Sequence, residues 1–248
     1  MTACTIMTIW NNEPMFRELV EELAQQKDIA VKFLDIDNRQ CRFDGPRSAF
    51  NAYLDQVETE YVLFVHQDIR FLHEHALYDI LQRVKELDGF GVAGVAGCPG
   101  GSERRLLSNI VHGADKKPAG KRIFQAEEVQ SLDECLFIMR TETLRKLPFT
   151  SVKGWHLYAV EQCLRAEATG LKNYVIPADV YHLSDGNSLD PCYIAMLLDM
   201  GHKYKIKELN TTVKRWEFNS LKGRCYIRYY YWKQQCKKLL RQLRLLKG

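Results

Sequence analysis

The sequence predicts an α/β domain with a mainly parallel sheet flanked by helices, followed by a basic helical extension. Short apolar segments alternate with amphipathic segments of helical length through most of the chain, an order typical of parallel sheets that carry helices on their faces. The 248 residues are 46% apolar and 27% charged, which supports a buried core and excludes disordered, collagen-like and disulfide-stapled chains. We therefore expect a domain over 1–202 and the extension over 203–248.

The predicted elements follow one another in a regular order. An apolar strand over 3–9 opens the chain, and Asn12 is placed to cap a helix over 13–26 that carries Pro14 in its first turn. Residues 98–125 interrupt the alternation with glycines, prolines and charges, so we interpret them as a long loop or hairpin. The same patterns predict further strands over 30–36, 61–65, 92–97, 134–139 and 173–176, and further helices over 46–57, 74–87 and 156–169.

The net charge of +4 conceals a strong asymmetry along the chain. Residues 203–248 hold fourteen Lys or Arg and two Glu, a net charge of +12, whereas the rest of the chain holds 21 basic and 29 acidic side chains, a net charge of −8. Within 221–248, nine basic and no acidic side chains accompany an apolar stripe with helical spacing. The stripe is formed by Cys225, Tyr229, Trp232, Cys236, Leu239, Leu243 and Leu246.

Two interpretations of this stripe stay open at the level of sequence. A basic amphipathic helix with tyrosines and a tryptophan can lie on an anionic membrane surface, which makes 221–248 a membrane contact. Alternatively, the stripe packs on the protein's own core, or on a second copy of the chain in a homodimer.

The sequence also indicates a cellular compartment. The eight cysteines form no Cys-x-x-Cys pair, a distribution that fits reduced thiols. The N-terminal segment lacks the basic start of a signal peptide, and no apolar run is long enough to span a bilayer. We therefore expect a cytoplasmic protein, held peripherally at the inner face of the plasma membrane if the extension binds lipid.

One glycine motif is excluded as a dinucleotide site. Residues 89–94 match Gly-x-Gly-x-x-Gly, but these glycines follow a predicted helix and enter a strand, whereas a dinucleotide fingerprint follows a strand and opens a helix. The chain has no Walker A motif, no Gly-x-Ser-x-Gly elbow and no His-Glu-x-x-His motif. No nucleic-acid-binding module accompanies the basic extension, so we expect no nucleic-acid partner.

Two polar clusters carry the chemistry that the sequence suggests. The apolar strand over 61–65 is followed by His66-Gln67-Asp68, which places a carboxylate at the edge of the sheet where α/β proteins bind ligands. Asp68 there either holds a divalent cation or merely caps the following turn. A histidine and a glutamate begin the helix over 156–169, and His182 follows a later strand, so its imidazole can approach the same edge as a metal ligand.

The ordered set of these segments resembles family 2 glycosyltransferases with the GT-A fold, and within them the bacterial branch that carries His-Gln-Asp in place of the usual Asp-x-Asp. The resemblance covers about residues 3–186. The segments that carry it are Asn11-Asn12, Asp37-Asn38, Ser48–Asn51, Phe64–Asp68, Val129–Asp133, Trp155–Ala166 and His182–Gly186.

This resemblance implies a role for each matching position. The residues expected at the donor nucleotide are Asn11, Asp37, Asn38 and Asn51. Those expected at the donor diphosphate are His66, Gln67, Asp68 and His182, with Asp68 and His182 as ligands of a Mn²⁺ or Mg²⁺ ion. Those expected to face the donor sugar or the acceptor are Asp133, Trp155 and Tyr158.

The helix block departs from the family pattern at the expected general base. That pattern usually reads aromatic-His-aromatic-Tyr-Asp-x-Asp, whereas this chain has Ala159 at the first Asp and Glu161 at the second. An alanine cannot accept a proton, so we expect Glu161 to act as the base, with His156 as the alternative.

The resemblance implies a metal-dependent, inverting glycosyltransferase that moves a sugar from a nucleotide-diphosphate donor, a UDP-sugar first of all. The acceptor would be a hydroxyl of a glycan or lipid-linked molecule in surface polysaccharide synthesis. One alternative is a non-catalytic glycan- or nucleotide-binding relative, which Ala159 favours. Another is a nucleotidyltransferase, which the segment 10–13 disfavours because it has no Gly, Lys or Arg to grip a triphosphate.

Overall fold

The computed structural model describes residues 2–184 and 190–245, which form sixteen strands, seven helices and a 3-10 helix over Leu54–Gln56. The strands are β1 (Thr2–Trp10), β2 (Ile29–Asp37), β3 (Tyr61–Val65), β4 (Ile69–Phe71), β5 (Phe90–Gly94), β6 (Ala96–Cys98), β7 (Leu107–Ser108), β8 (Val111–His112), β9 (Lys117–Pro118), β10 (Glu127–Val129), β11 (Ser131–Leu132), β12 (Leu136–Arg140), β13 (Lys172–Val175), β14 (Val180–His182), β15 (Glu208–Asn210) and β16 (Arg215–Glu217). The helices are α1 (Glu13–Ala24), α2 (Pro46–Tyr53), α3 (Ala76–Lys85), α4 (Thr141–Lys146), α5 (Tyr158–Glu167), α6 (Pro191–Lys203) and α7 (Leu221–Leu245).

A seven-stranded sheet with the order β10-β13-β5-β12-β3-β1-β2 forms the centre of the molecule. β1 runs parallel to β2 and β3, β13 runs parallel to β5, and β12 and β10 run antiparallel to their neighbours. Five of the seven strands therefore point in one direction, which confirms the predicted α/β fold with a mainly parallel sheet. Their carboxyl ends share one edge, where ligands of such sheets bind.

Helices cover both faces of this sheet. Side chains of a strand alternate between faces, so Leu63 of β3 packs in a cluster with Leu77 of α3, whereas Phe64 packs in a second cluster with Phe50 of α2. All five residues of β3 are buried. The uninterrupted apolar run of this strand is thus explained by burial on both faces.

The predicted elements are present, with ends shifted by a few residues. Asn12 caps α1 as expected, since its side chain accepts a hydrogen bond from the backbone N–H of Met15 at 3.2 Å. The 98–125 segment contains an antiparallel β8–β9 hairpin. The helix expected over 156–169 starts only at Tyr158, so His156 lies in the segment that precedes it.

A smaller sheet, β4-β14-β8-β9, crosses the carboxyl edge of the central sheet. β14 pairs antiparallel with β4 and sets His182 opposite Ile69. Because Ile69 directly follows Asp68, this register brings the imidazole of His182 to the carboxylate that follows β3. The backbone N–H of Leu183 also donates to the carbonyl of Asp68 at 3.0 Å.

A third hydrophobic cluster joins the C-terminal elements to α5. Val160 of α5 packs there with Leu197 of α6, Trp216 of β16 and Ile227 of α7. Core residues of this cluster come from both sides of the boundary at 202–203, and the division into two domains stays a prediction.

The long helix α7 turns its apolar stripe toward solvent. Ile227 is fully buried, so a different face of the helix docks on the protein. The interpretation in which the stripe packs on the protein's own core is therefore wrong. Leu243 and Leu246 lie outside the side chains that the structure describes, and the exposed members of the stripe are Cys225, Tyr229, Trp232, Cys236 and Leu239.

Neither a disulfide nor a membrane-spanning helix occurs among the described residues. All eight cysteines are free thiols, and half of them are buried in the core. None of the helices, as far as the structure describes them, is both long and apolar enough to cross a bilayer.

The glycines of the excluded dinucleotide motif serve the backbone and the packing. Gly89 follows α3 with a φ of +56°, a conformation that favours glycine. Gly91 lies where α5 crosses the sheet, and a Cβ atom there would lie 2.3 Å from the Cβ of Ala166. The motif therefore marks a tight helix–sheet contact.

We expect Gly91→Ala to lower the free energy of unfolding by about 1–3 kcal/mol, because it overpacks the contact with Ala166. Adding Ala166→Gly removes the clash. The double variant should therefore lose less unfolding free energy than the sum of the losses in the two single variants. Urea denaturation measures both effects. Gly100→Ala is the matched control, since its added Cβ would meet side-chain atoms only at 3.8 Å or more. If the losses of unfolding free energy in the two single variants, at positions 91 and 166, simply add in the double variant, the packing explanation is contradicted.

Candidate active site

The turn after β3 brings together Asn11 and Gln67, two of the residues expected at the donor. Gln67 accepts hydrogen bonds from the backbone N–H groups of Asn11 and Asn12 at 3.1 and 3.0 Å, and its amide donates to the side chain of Asn11 at 2.8 Å. The turn is also tied to β12, because the backbone N–H of His66 donates to the carbonyl of Cys135 at 2.9 Å. The carboxyl ends of β1 and β3 are thus locked to each other.

His66, Asp68 and His182 form a cluster whose possible ligand atoms all lie within 4.8 Å of one another. Nε2 of His182 lies 3.2 Å from one carboxylate oxygen of Asp68, and Nδ1 of His66 lies 3.9 Å from the other. Nε2 of His66 is hydrogen-bonded to the hydroxyl of Tyr158 at 2.7 Å, which orients the ring. Two imidazoles and a carboxylate are a donor set that fits a divalent transition metal such as Mn²⁺.

The charges of this cluster support the same chemistry. Burial alone would raise the pKa of Asp68, but the hydrogen bond and charge of His182 outweigh it and lower that pKa. Burial lowers the pKa of His66 and keeps its ring neutral, as a metal ligand must be. The pKa of His182 is raised, because contact with Asp68 outweighs its burial. Contact with Asp68 therefore favours the protonated form of His182, and a cation bound at this cluster would compete with that proton.

Two cavities meet at this cluster, and both are lined by His66 and Asp68. The smaller, of about 240 Å³, has walls from the ends of β1 and β3 and from α2. We call it the donor cavity, after the ligand that the sequence analysis predicts there. The larger, of about 630 Å³, extends toward α6 and the β15–β16 hairpin. We call it the acceptor cavity, likewise after the predicted ligand.

The residues expected at the donor nucleotide separate into two groups. Asn11 and Asn38 line the donor cavity. Asp37 does not line it, and its carboxylate is held by the guanidinium of Arg39 instead. Asn51 is also displaced, because its amide exchanges hydrogen bonds with the backbone of Phe149 at 2.8 and 3.1 Å. The structure therefore gives Asn51 a structural role, whereas the nucleotide contact expected of Asp37 stays a prediction.

Trp155 and Tyr158 lie on the donor side of the cluster. Both line the donor cavity, and Trp155 is 44% exposed there. Their expected place at the donor sugar or the acceptor stays a prediction. Tyr158 also supports His66, because its hydroxyl is hydrogen-bonded to Nε2 of that ring.

Asp133 and His156 both line the acceptor cavity, and their expected roles stay predictions. Asp133 accepts hydrogen bonds from the backbone N–H of Cys135 at 3.0 Å and from the hydroxyl of Thr212 at 2.8 Å. Nε2 of His156 lies 3.2 Å from the carboxylate of Asp190. The burial of Asp133 would raise its pKa, but His182 and Thr212 lower it, so this carboxylate is ionised.

Glu161 does not reach either cavity, so the prediction that it is the general base is wrong on geometric grounds. Its side chain is 4% exposed and pairs with the buried guanidinium of Arg47 at 2.8 Å. Burial would raise the pKa of Glu161, but the hydroxyl of Tyr204 and the charge of Arg47 outweigh burial and lower it to about 2. Its further hydrogen-bond donors are Thr150, Lys203 and Tyr204.

The sequence prediction missed Glu134, whose side chain lines the acceptor cavity. Its carboxylate accepts a hydrogen bond from the backbone N–H of Tyr158, the first residue of α5, at 2.6 Å. Burial raises the pKa of Glu134, and the charge of Asp133 raises it further, to about 8. The sequence does show two adjacent acids, Asp133 and Glu134, just before an apolar strand. Only the tertiary fold, however, shows that Glu134 faces the start of α5.

Comparison with known sequences identifies the family of this chain. A family model described as "Glycosyltransferase like family" matches residues 5–184. The chain belongs to this glycosyltransferase-like family. Among curated proteins, "ATP synthase subunits region ORF 6" from Fuscovulum blasticum is 27% identical over 185 residues, which cover 71% of this chain and 72% of that protein.

Three solved structures that share the fold are each at most 16% identical to this chain. TarS 1-349 from S. aureus in complex with UDP-GlcNAc is 16% identical, with a TM-score of 0.52 over 82% of this chain and 66% of that chain. GalNAc-T7 with UDP, GalNAc and Mn²⁺ is 9% identical, with a TM-score of 0.57 over 83% and 49%. The mannosyltransferase PcManGT from Pyrobaculum calidifontis, in complex with GDP-Man and Mn²⁺, is 12% identical, with a TM-score of 0.51 over 81% and 63%.

These comparisons confirm the family resemblance and the GT-A fold that the sequence motifs implied. The chain spans between about half and two-thirds of the length of the three solved structures. At identities this low the likeness is one of fold, so substrates have to be argued from the residues of this chain.

We expect Glu161→Gln to lower the free energy of unfolding by about 3–5 kcal/mol, because it leaves the charge of Arg47 buried without its partner. The pKa of Glu161 is lowered to about 2. The extra stability of the wild type over Glu161→Gln is therefore fully present above about pH 4.5 and is lost as the pH falls toward 2. Urea denaturation against pH measures this loss. Glu167→Gln on the exposed side of α5 is the control and should change stability by less than about 0.5 kcal/mol. Unchanged stability of Glu161→Gln together with lost sugar transfer would return Glu161 to a catalytic role.

Proposed function

We propose that this chain is a metal-dependent, inverting glycosyltransferase that moves a sugar from a nucleotide-diphosphate donor to an acceptor hydroxyl. The observation that carries the proposal is the meeting of two cavities at His66, Asp68 and His182. A donor bound in the smaller cavity would present its diphosphate at this cluster, and an acceptor in the larger cavity would face the sugar from the other side. That arrangement suits a single displacement at the anomeric carbon.

The residues of the donor cavity would bind and orient the nucleotide. Asn11 and Asn38 offer amide groups, and Trp155 offers an aromatic face beside them. The cluster would hold Mn²⁺ in preference to Mg²⁺, because imidazole is a poorer ligand for Mg²⁺. The bound ion would stabilise negative charge on the leaving diphosphate. We take a UDP-sugar as the first donor to test, since two of the structural neighbours are named as complexes with UDP or a UDP-sugar.

The acceptor cavity would take a hydroxyl-bearing glycan or lipid-linked acceptor of surface polysaccharide synthesis. Its wall combines the polar groups of Asp133 and His156 with the apolar side chains of Leu106 and Ile110 and with the cation of Lys214. This mixture suits a sugar ring that carries apolar or anionic substituents.

Two other functions remain distinguishable from this proposal. A non-catalytic binding relative would keep the donor cavity but transfer no sugar, and Ala159 is the residue that favours it. A nucleotidyltransferase would require a grip for a triphosphate after β1, and that connection offers neither glycine nor a basic side chain. Donor binding without transfer would support the first alternative.

We expect UDP or a UDP-sugar together with Mn²⁺ to raise the melting temperature by about 5–10 °C at a hundred-fold excess over Kd. Either component alone should give a much smaller shift, because the ion and the diphosphate bind each other at the cluster. Thermal denaturation with a panel of nucleotide diphosphates measures this and identifies the base. Asp68→Asn should abolish the joint shift, whereas Asp88→Asn at an exposed position should retain it. A joint shift that survives Asp68→Asn would contradict the site.

The exposed stripe of α7 supports a second proposal, contact with an anionic membrane. Tyr229, Trp232 and Leu239 are each more than 60% exposed, and nine basic side chains with no acid lie in 221–248. Aromatic side chains at an interface and lysines near anionic headgroups both favour such a surface. Membrane contact would hold the acceptor cavity near a lipid-linked acceptor on the inner face of the plasma membrane.

We expect the chain to bind vesicles that contain phosphatidylglycerol and to bind phosphatidylcholine vesicles much more weakly. Tyr229→Ala with Trp232→Ala should weaken binding at least about tenfold, since each aromatic side chain contributes more than about 1 kcal/mol of burial. Co-sedimentation measures the partition. Phe124→Ala is the control, because Phe124 is an exposed aromatic residue outside α7. If the double variant binds vesicles as well as Phe124→Ala does, the membrane proposal is overturned. If the chain is a dimer and the double variant is a monomer, the stripe instead contacts a second copy.

A further inference from the structure

Glu134 places its carboxylate at the start of α5, on the wall of the acceptor cavity. Its Oε1 atom accepts a hydrogen bond from the backbone N–H of Tyr158 at 2.6 Å, and the backbone N–H of Ala159 also bonds to this carboxylate. Asp68 and His182 line the same cavity. A titratable group that the backbone holds in place therefore lines the same cavity as the candidate metal cluster.

Three other titratable side chains on the wall of this cavity already have partners. Both carboxylate oxygens of Asp133 accept hydrogen bonds, from Cys135 and Thr212. Asp68 contacts His182 at 3.2 Å, and His156 contacts Asp190 at 3.2 Å. The backbone N–H groups at the start of α5 hold the carboxylate of Glu134 in place without neutralising it with a cation.

We propose that Glu134 is the general base that takes the proton of the acceptor hydroxyl, an assignment that rests on the transferase function proposed above. An oxygen of the Glu134 carboxylate accepts that proton while the acceptor oxygen forms a bond to the anomeric carbon. The bond between that carbon and the diphosphate oxygen breaks, and its electron pair leaves on the nucleoside diphosphate. Glu134 then releases the proton to solvent, and the anomeric configuration is inverted.

The environment of Glu134 gives this carboxylate the proton affinity that the step needs. Its pKa of about 8 results from burial and from the neighbouring charge of Asp133. General-base catalysis is most efficient when the pKa of the base lies near the working pH. Glu161, with a pKa of about 2, would hold a proton too weakly for this task.

The first test is Glu134→Gln, which keeps the shape of the side chain and removes its basicity. We expect sugar transfer to fall by about 10²- to 10⁴-fold, while the thermal shift with UDP and Mn²⁺ stays at the wild-type value. Glu167→Gln on the exposed side of α5 should leave both readouts unchanged. The combination separates a defect in chemistry from a defect in donor binding.

The second test changes the reach of the carboxylate. Glu134→Asp keeps the negative charge and withdraws the carboxylate by one methylene. We expect sugar transfer by this variant to fall at least about tenfold, because the base must lie within hydrogen-bond reach of the acceptor hydroxyl, while the thermal shift with UDP and Mn²⁺ is retained. This variant also keeps the assignment testable should Glu134→Gln fail to fold.

Three results would overturn the assignment. Transfer by Glu134→Gln within about threefold of the wild type would exclude Glu134 as the base. Loss of the donor-dependent thermal shift in that variant would mark Glu134 as a structural part of the donor site. Transfer by Glu134→Asp within about threefold of the wild type would show that the reaction does not depend on the position of this carboxylate. A wild type that binds no donor would instead contradict the transferase proposal itself.

Discussion

The antiparallel pairing of β14 with β4 is the constraint on which the candidate site depends. It sets His182 opposite Ile69 and so brings an imidazole from late in the chain to Asp68, a carboxylate that follows an early strand. Side chains alternate along a strand, so a slip of one residue in this pairing would turn His182 away. The candidate metal cluster, and with it the junction of the donor and acceptor cavities, would then be lost.

A buried ion pair sets the walls on either side of that junction. Arg47 of α2 pairs with Glu161 of α5 and also donates to the backbone carbonyl of His156 at 3.1 Å. The neighbouring Pro46 lines the donor cavity, and His156 lines the acceptor cavity. Glu134 differs from Glu161 in its environment. Pairing with the cation of Arg47 lowers the pKa of Glu161, whereas burial beside Asp133 raises the pKa of Glu134. Environment therefore distinguishes the structural Glu161 from Glu134, the base that we propose.

The sequence was sufficient for the central sheet and for part of the site. The continuous apolar run of β3 predicts a strand buried on both faces, and its end predicts a ligand position at Asp68. Local patterns could not locate residues whose roles depend on distant contacts. Asn51 matches a family segment, yet its amide bonds to Phe149, 98 positions away. Glu134 shows its role only beside the start of α5, which no local spacing reveals.

The position of a bound metal ion tests the central claim most directly. Crystals of the full chain grown with UDP and Mn²⁺ would locate the ion through its anomalous scattering. We expect one peak within about 2.3 Å of the carboxylate of Asp68 and of the imidazole of His182, in contact with the diphosphate. Bound UDP with no metal peak at these two side chains, or with the peak elsewhere on the chain, would contradict the site proposed here.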